Sequence, residues 1–207
     1  MFAEIFLSLI ISATLTVAGS FWIDNLYRNS DELTFPENIS SRARYRCPIL
    51  FSLLAVLDWK IFSSTNSPEN LFLLTAIFFL SLMTITDFEQ YMLFDAMTIP
   101  FAIVGAVYVW QMHLNFLNHA AAAIIGGGIF LLLALLSKGS LGGGDVKLIA
   151  ALGLWLGFEK LLNVVFAGTI SGGLAAILMI LANKKNRNSY FAYGPYFALT
   201  AIYFLLF

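Results

Sequence analysis

Twelve acidic side chains stand in a chain of 207 residues that is 60% hydrophobic and only 11% charged, so each can be weighed singly. A carboxylate at membrane depth is costly to keep there and is a functional hypothesis by default. Asp24, Asp31, Glu32 and Glu37 fall in a polar stretch, while Glu4, Asp58, Glu69 and Glu159 fall at the outer ends of apolar runs, where exposure is cheap. Asp87, Glu89, Asp95 and Asp145 remain, all at the inner ends of apolar segments. Asp145 closes Gly142-Gly143-Gly144-Asp145 and is followed by Val146-Lys147-Leu148. Three successive glycines let the backbone take positive φ angles and come close to another segment. Asp145 there either N-caps a helix beginning at Val146 or takes part in chemistry, and the positive helix end favours its ionised form either way. Asp87 ends an apolar run ahead of Asp95 and Pro100, a pattern that predicts a late-starting or irregular helix lining protein or a wet cavity.

Two carboxylates brought together from separate helices can share one proton, so that the pair supplies both an acid and a base. The base takes a proton from water as it attacks a peptide carbonyl, the acid protonates the carbonyl oxygen, and the pH profile belongs to the pair. Asp87 and Asp145 are the first candidates, with Glu89 or Asp95 able to replace one of them in the argument. Lys147, two residues past Asp145, faces roughly the opposite side of a helix and marks its edge. His113 and His119 fall in a connection away from the carboxylates and read as satisfied interfacial histidines, so no metal site is expected. The one cysteine, Cys47, can form neither an internal disulfide nor a paired-thiolate zinc site. A net charge of -1 from 11 basic and 12 acidic residues offers nucleic acid no field to follow.

The elements that must position these groups are apolar runs near residues 3–22, 48–62, 70–86, 91–111, 119–137, 146–158, 161–182 and 190–207. A bilayer core of about 30 Å needs about 20 such residues per helix. The expectation is therefore an all-α polytopic membrane protein of about eight hydrophobic segments, seven or eight of them spanning. It forms a single domain over 1–207 with a cytoplasmic loop at about 23–47. The first run carries Glu4 where a signal peptide carries positive charge, and reads as a spanning helix. Cytoplasmic loops are enriched in lysine and arginine. With the N-terminus outside, the inner side takes Arg28, Arg42, Arg44, Arg46, Lys138, Lys147, Lys184, Lys185 and Arg187, and the outer side only Lys60 and Lys160. Arg42, Arg44 and Arg46 read as a headgroup anchor. Gly126, Gly127 and Gly128, and Gly168 with Gly172, read as helix-packing positions.

At these residues the chain resembles the type IV prepilin peptidases, membrane aspartyl proteases of the GxGD group. Gly142-Gly143-Gly144-Asp145-Val146-Lys147-Leu148, continued by Ala150-Ala151-Leu152-Gly153, is similar to the family's GxGD block. Asp87 with Leu93, Asp95, Ala96, Thr98 and Pro100 resembles the block that carries the other catalytic aspartate. Gly19-Ser20-Phe21 with Tyr27-Arg28, and Tyr193-Gly194-Pro195-Tyr196-Phe197-Ala198, resemble its N- and C-terminal blocks. The resemblance implies a GxGD-type helical bundle with Asp87 and Asp145 as the catalytic pair and Gly142, Gly143 and Gly144 as the active-site loop. Asp95 and Lys147 would be supporting residues. It further implies cleavage of the short basic leader of type IV prepilins or pseudopilins, for pilus or type II secretion systems, at the cytoplasmic face of a bacterial inner membrane. Partners would be those substrates and membrane lipids, and proteolysis would need no cofactor. Many family members also methylate the new N-terminus with S-adenosylmethionine and carry paired Cys-x-x-Cys motifs. This chain has Cys47 alone, so neither zinc of that kind nor methyl transfer is expected. The rival reading is a small proton- or cation-coupled transporter using the same carboxylates, and a third is a silent assembly factor.

Overall fold

The computed structural model describes residues 2–31, 33–63, 68–137, 141–182 and 191–207, and these are helical with no strand among them. α1 is Phe2–Arg28 and α2 the short Ile39–Arg42, followed by α3 Arg46–Ser63 and α4 Glu69–Gln90. α5 is Asp95–Gln111, α6 Phe116–Leu136, α7 Gly143–Leu181 and α8 Gly194–Leu206. Lys138, Ser140, Lys184, Lys185, Arg187 and Glu32 lie outside the described residues, as does the side chain of Glu4.

Where the helices stop follows from local chemistry. Asn115 caps α6 by accepting from the Asn118 N–H at 3.2 Å. α8 opens with Pro195 in its first turn, where a missing N–H costs nothing. α5 begins late, at Asp95, as expected, but continues through Pro100 as one helix. The expected segments 146–158 and 161–182 belong to one helical stretch broken at Gly157, whose φ of 72° and ψ of -179° are open essentially to glycine alone. Ile149 and Leu161 both pack at Gly126, so the chain doubles back at that break.

α1, α4, α6 and α7 are long and apolar enough to cross a membrane. The expected count of seven or eight crossings goes beyond that. α3 carries Arg46, Asp58 and Lys60, and α8, with 13 residues, rises only about 20 Å. The buried apolar core draws side chains from α1, α3, α4, α5, α6, α7 and α8. Trp155 is sandwiched between the rings of Phe101 and Tyr108 and donates its indole N–H to the Phe101 carbonyl at 2.9 Å. Gly168 receives Phe197 of α8 and Gly172 receives Tyr193 just ahead of α8, and Gly126 and Gly127 receive Leu161 and Ala150, whereas Gly128 faces open space.

Three expectations need correction. The loop drawn at 23–47 is shorter, because α1 continues to Arg28 and carries Asp24 and Tyr27 within the helix. Asp58 is not exposed at a helix end. Its side chain is fully buried and turned toward α1, where Ser12 donates to its Oδ2 at 2.6 Å. The basic run is not a simple headgroup anchor: Arg46 is 3% exposed and ion-paired inside the protein, and Arg42 is bound to the end of α4.

Candidate active site

α4 carries Asp87 in its last turn and ends because Tyr91 adopts a left-handed conformation, its N–H returning to the Asp87 carbonyl at 2.9 Å. The chain then crosses in an extended piece to Phe94, whose carbonyl accepts from Met97 and Thr98 at the start of α5. Leu93 in this crossing is pressed against Gly144, where an added Cβ would lie 2.9 Å from the Leu93 Cβ. That contact sets the start of α7 beside the end of α4.

α7 begins three residues earlier than Val146. Its N-cap is Gly142, at φ -68° and ψ 140°, so Asp145 stands in the first turn and is not the cap. The three glycines take no positive φ: among the described glycines only Gly157 does. They act through lack of bulk, Gly144 against Leu93 and Gly142 beside the Asp145 carboxylate. From the third helical position Asp145 donates its backbone N–H to the Gly142 carbonyl at 3.1 Å.

Asp87 and Asp145 are brought together. Both line one cleft of about 220 Å³, with Tyr91, Met92, Leu93 and the Gly142–Gly144 run, and the two carboxylates are close enough to repel each other. Asp87 is 6% exposed, and its Oδ2 has no hydrogen-bond partner among the described residues. The start of α8 presses on it from the far side. The Gly194 backbone stands against the Asp87 carboxylate, so that a Cβ on Gly194 would sit 2.7 Å from Oδ2 and 3.2 Å from Cγ. Gly194 is the residue that reasoning from types and spacing missed. The signal for it was the Gly194-Pro195 pair, a helix start that can come up against another side chain only while position 194 has no Cβ.

Asp95 and Glu89 do not join the cleft. Lys147 Nζ reaches Asp95 Oδ1 at 2.6 Å and Oδ2 at 2.8 Å, so this half-exposed pair ties the start of α5 to the start of α7. Glu89, two residues past Asp87, is buried and fully engaged. Arg46 donates to it through Nε at 2.9 Å and Nη2 at 2.7 Å, and the Tyr27 hydroxyl at 2.9 Å. The same Arg46 pairs with Asp24 of α1. Arg42 donates to the Glu89 and Phe88 carbonyls that α4 leaves open at its end, and its guanidinium stacks on Phe35. His119 is buried with Nδ1 2.8 Å from the Leu154 carbonyl, a satisfied histidine beside the Gly157 break. Among the described residues no three His, Cys, Asp or Glu side chains gather as a metal site.

The arrangement is two carboxylates lining one open cleft, one of them buried with an unpartnered oxygen and the other in the first turn of a helix. The chain is 36% identical over 135 residues, 62% of its length and 45% of the relative's, to a prepilin leader peptidase/N-methyltransferase of Neisseria gonorrhoeae. It is 29% identical over 131 residues to the protein of that name from Pectobacterium carotovorum subsp. carotovorum, covering 60% of this chain and 47% of the relative. It is 27% identical over 166 residues to that from Legionella pneumophila, covering 76% of this chain and 57% of the relative. The chain thus spans about half the length of the curated relatives it matches. No solved structure matches it. The type IV leader peptidase family matches residues 74–177, half of the chain and the half that holds both Asp87 and Asp145. The chain belongs to the type IV leader peptidase family.

Proposed function

We propose that this chain is a membrane-embedded aspartic endopeptidase that removes the short basic leader from type IV prepilins or pseudopilins, with Asp87 and Asp145 as the catalytic pair. The observation that carries this reading is that two carboxylates from distant parts of the chain line one cleft. One of them, ionised, takes a proton from water while the water oxygen bonds to the scissile carbonyl carbon. The other, protonated, gives its proton to the carbonyl oxygen. When the tetrahedral centre collapses, the C–N bond breaks, and the leaving amine takes a proton from the pair. Gly142, Gly143 and Gly144 leave room for a peptide backbone beside Asp145. Asp95 and Lys147 hold α5 and α7 together beneath it.

The site then belongs at the cytoplasmic face of a bacterial inner membrane. Arg28, Arg42, Arg46 and Lys147 lie at the same ends of their helices as the pair, and Lys60 and Lys160 at the opposite ends. The whole chain acts as one bundle, with α3, α5 and α8 completing the crossings made by the longer helices. A leader would stay in the cytoplasm while the apolar helix after the cut rests in the bilayer. A cysteine-held zinc does not fit a chain whose single cysteine, Cys47, is exposed, and neither zinc nor S-adenosylmethionine enters the reaction written here. A transporter has less support, because both aspartates sit at helix ends and not at mid-membrane depth.

The test is cleavage of a prepilin-like substrate in membranes by wild type, Asp87→Asn and Asp145→Asn. Each variant is expected to insert normally and yield no product. Normal cleavage by both removes the reading. Mass analysis of the new N-terminus with S-adenosylmethionine present is expected to show no added methyl group.

A further inference from the structure

Beyond its two carboxylates the cleft has few side chains with which to recognise a peptide. Gly142, Gly143 and Gly144 present backbone only, so among the described residues the other lining side chains are Tyr91, Met92 and Leu93. Leu93 is already committed to Gly144. Recognition of a side chain beside the scissile bond falls to Tyr91 and Met92.

Tyr91 holds an unusual backbone conformation for its type. It closes α4 at φ 54° and ψ 38°, the left-handed region in which glycine or asparagine commonly ends a helix. Among the described residues the other non-glycine residue with positive φ is His113, a type that visits this region readily, whereas a bulky aromatic does so rarely. Such a conformation persists where the surroundings over-determine it. Here the surroundings are the loop ahead of α2. Gln90, fully buried, accepts the Phe35 N–H through Oε1 at 2.8 Å and donates from Nε2 to the Phe35 carbonyl at 3.4 Å. The Phe35 ring, pinned in this way, meets Tyr91 edge to face with centroids 5.3 Å apart. The Arg42 guanidinium lies 4.1 Å from the Phe35 centroid and 5.3 Å from that of Tyr91. Glycine at 91 would end α4 without strain, but it would supply no ring to the cleft wall.

The geometry points to Tyr91, with Met92, as the subsite for the side chain of the residue that follows the cut. This deepens the proposed function and rests on its dyad and its substrate, a basic leader ahead of an apolar helix. Charge chooses the side of the cut. Arg42 already stands by the ring, so a basic leader residue would bring like charge to it, whereas an apolar side chain buries against tyrosine and methionine without that cost. Tyr91 is then a binding residue, and Phe35 a positioning residue that acts through it.

The experiment uses the full chain in proteoliposomes. Its synthetic peptides share a basic leader, a glycine before the cut and an apolar helix after it, and differ only in the first residue after the cut: leucine, alanine or lysine. The readout is the ratio of kcat/KM between peptides on one enzyme preparation, which the folded fraction does not move. Wild type is expected to favour the leucine peptide over the alanine peptide by at least about 10-fold, and to cleave the lysine peptide worst. Tyr91→Phe keeps the ring and the preference. Tyr91→Gly is expected to melt no earlier than wild type, since glycine suits the left-handed backbone, while its preference for leucine falls to within about 3-fold through a higher KM. Should Tyr91→Gly melt early, Tyr91→Asn, which also tolerates that backbone, is read by the same ratio. Phe35→Ala is expected to weaken the preference and to add nothing on top of Tyr91→Gly. A wild type indifferent between leucine and alanine, a lysine peptide cleaved best, or a Tyr91→Gly enzyme with the full preference overturns the subsite while leaving the dyad standing. Cleavage by Asp145→Asn overturns the dyad and is read apart from the ratios. A wild type that cleaves none of the peptides removes the peptidase reading and the subsite with it.

Discussion

Asp87 and Glu89 stand two residues apart in the last turn of α4, both buried and both carboxylates, yet their surroundings are opposite. Glu89 receives Arg46 through two nitrogens and the Tyr27 hydroxyl, and the backbone around it is held by Arg42. Asp87 is touched by the Gly194 backbone and left with an orphaned oxygen and a like-charged neighbour. The two side chains leave the helix about 200° apart. One therefore turns to α1 and α3 and the other to α7 and α8. A buried acid whose bonds are all made serves the architecture. A buried acid whose bonds are withheld stores the capacity to act on something else, and the first makes the second sustainable by clamping the turn that carries it.

The contrast can be broken in descending order of effect. Asp87→Asn is expected to reduce cleavage by at least about 10⁴-fold while leaving the melting temperature equal or higher, since it relieves repulsion. Activity in reconstituted membranes and a thermal melt read the two outcomes together. An early melt would show that Asp87 is structural as well. Arg46→Ala should do the reverse at the level of the fold, costing about 3–5 kcal/mol because it strands Glu89 as an uncompensated buried charge, and Glu89→Ala should cost less because Arg46 keeps Asp24. Unfolding of the purified protein in denaturant measures this, and the double variant should cost less than the sum. Gly194→Ala places a Cβ 2.7 Å from Asp87 Oδ2 and should shift the carboxylate without unfolding α8, lowering kcat about 10²-fold. Steady-state kinetics on the folded variant decide it. Lys147→Gln removes a half-exposed pair with Asp95 and should cost no more than about 1 kcal/mol, with cleavage reduced severalfold at most. A larger loss of cleavage would place Lys147 in the chemistry.

The four-residue run ending in Asp145 was picked out by a local signal, although its glycines take no positive φ and α7 begins at Gly143. Three glycines before an acid, at the start of an apolar run, can bring a backbone close to that acid whatever the rest of the chain does. The block around Asp87 was legible for the same reason, since an acid closing an apolar segment marks a helix end. The errors came where the deciding partner lies far along the chain. Asp58 looked harmless because nothing near it in sequence says that Ser12 of α1 will cover it. Arg46 looked like an anchor because Glu89 and Asp24 come to it from other helices. The break between residues 146–158 and 161–182 was anticipated from hydropathy, but its position at Gly157 follows from a backbone angle that few residues besides glycine can hold.

By itself the amino-acid order determined the solvent: a chain this apolar and this poor in charge belongs in a bilayer, as helices, because only within helices does such a sequence satisfy its own backbone there. It also determined which carboxylates were rare enough to matter. Which of them would face one another was decided only by tertiary packing. Leu93 against Gly144 and Gly194 against Asp87 fix distances that no spacing along the chain encodes, because contact between separate helices depends on the shapes of surfaces that exist only after both have folded.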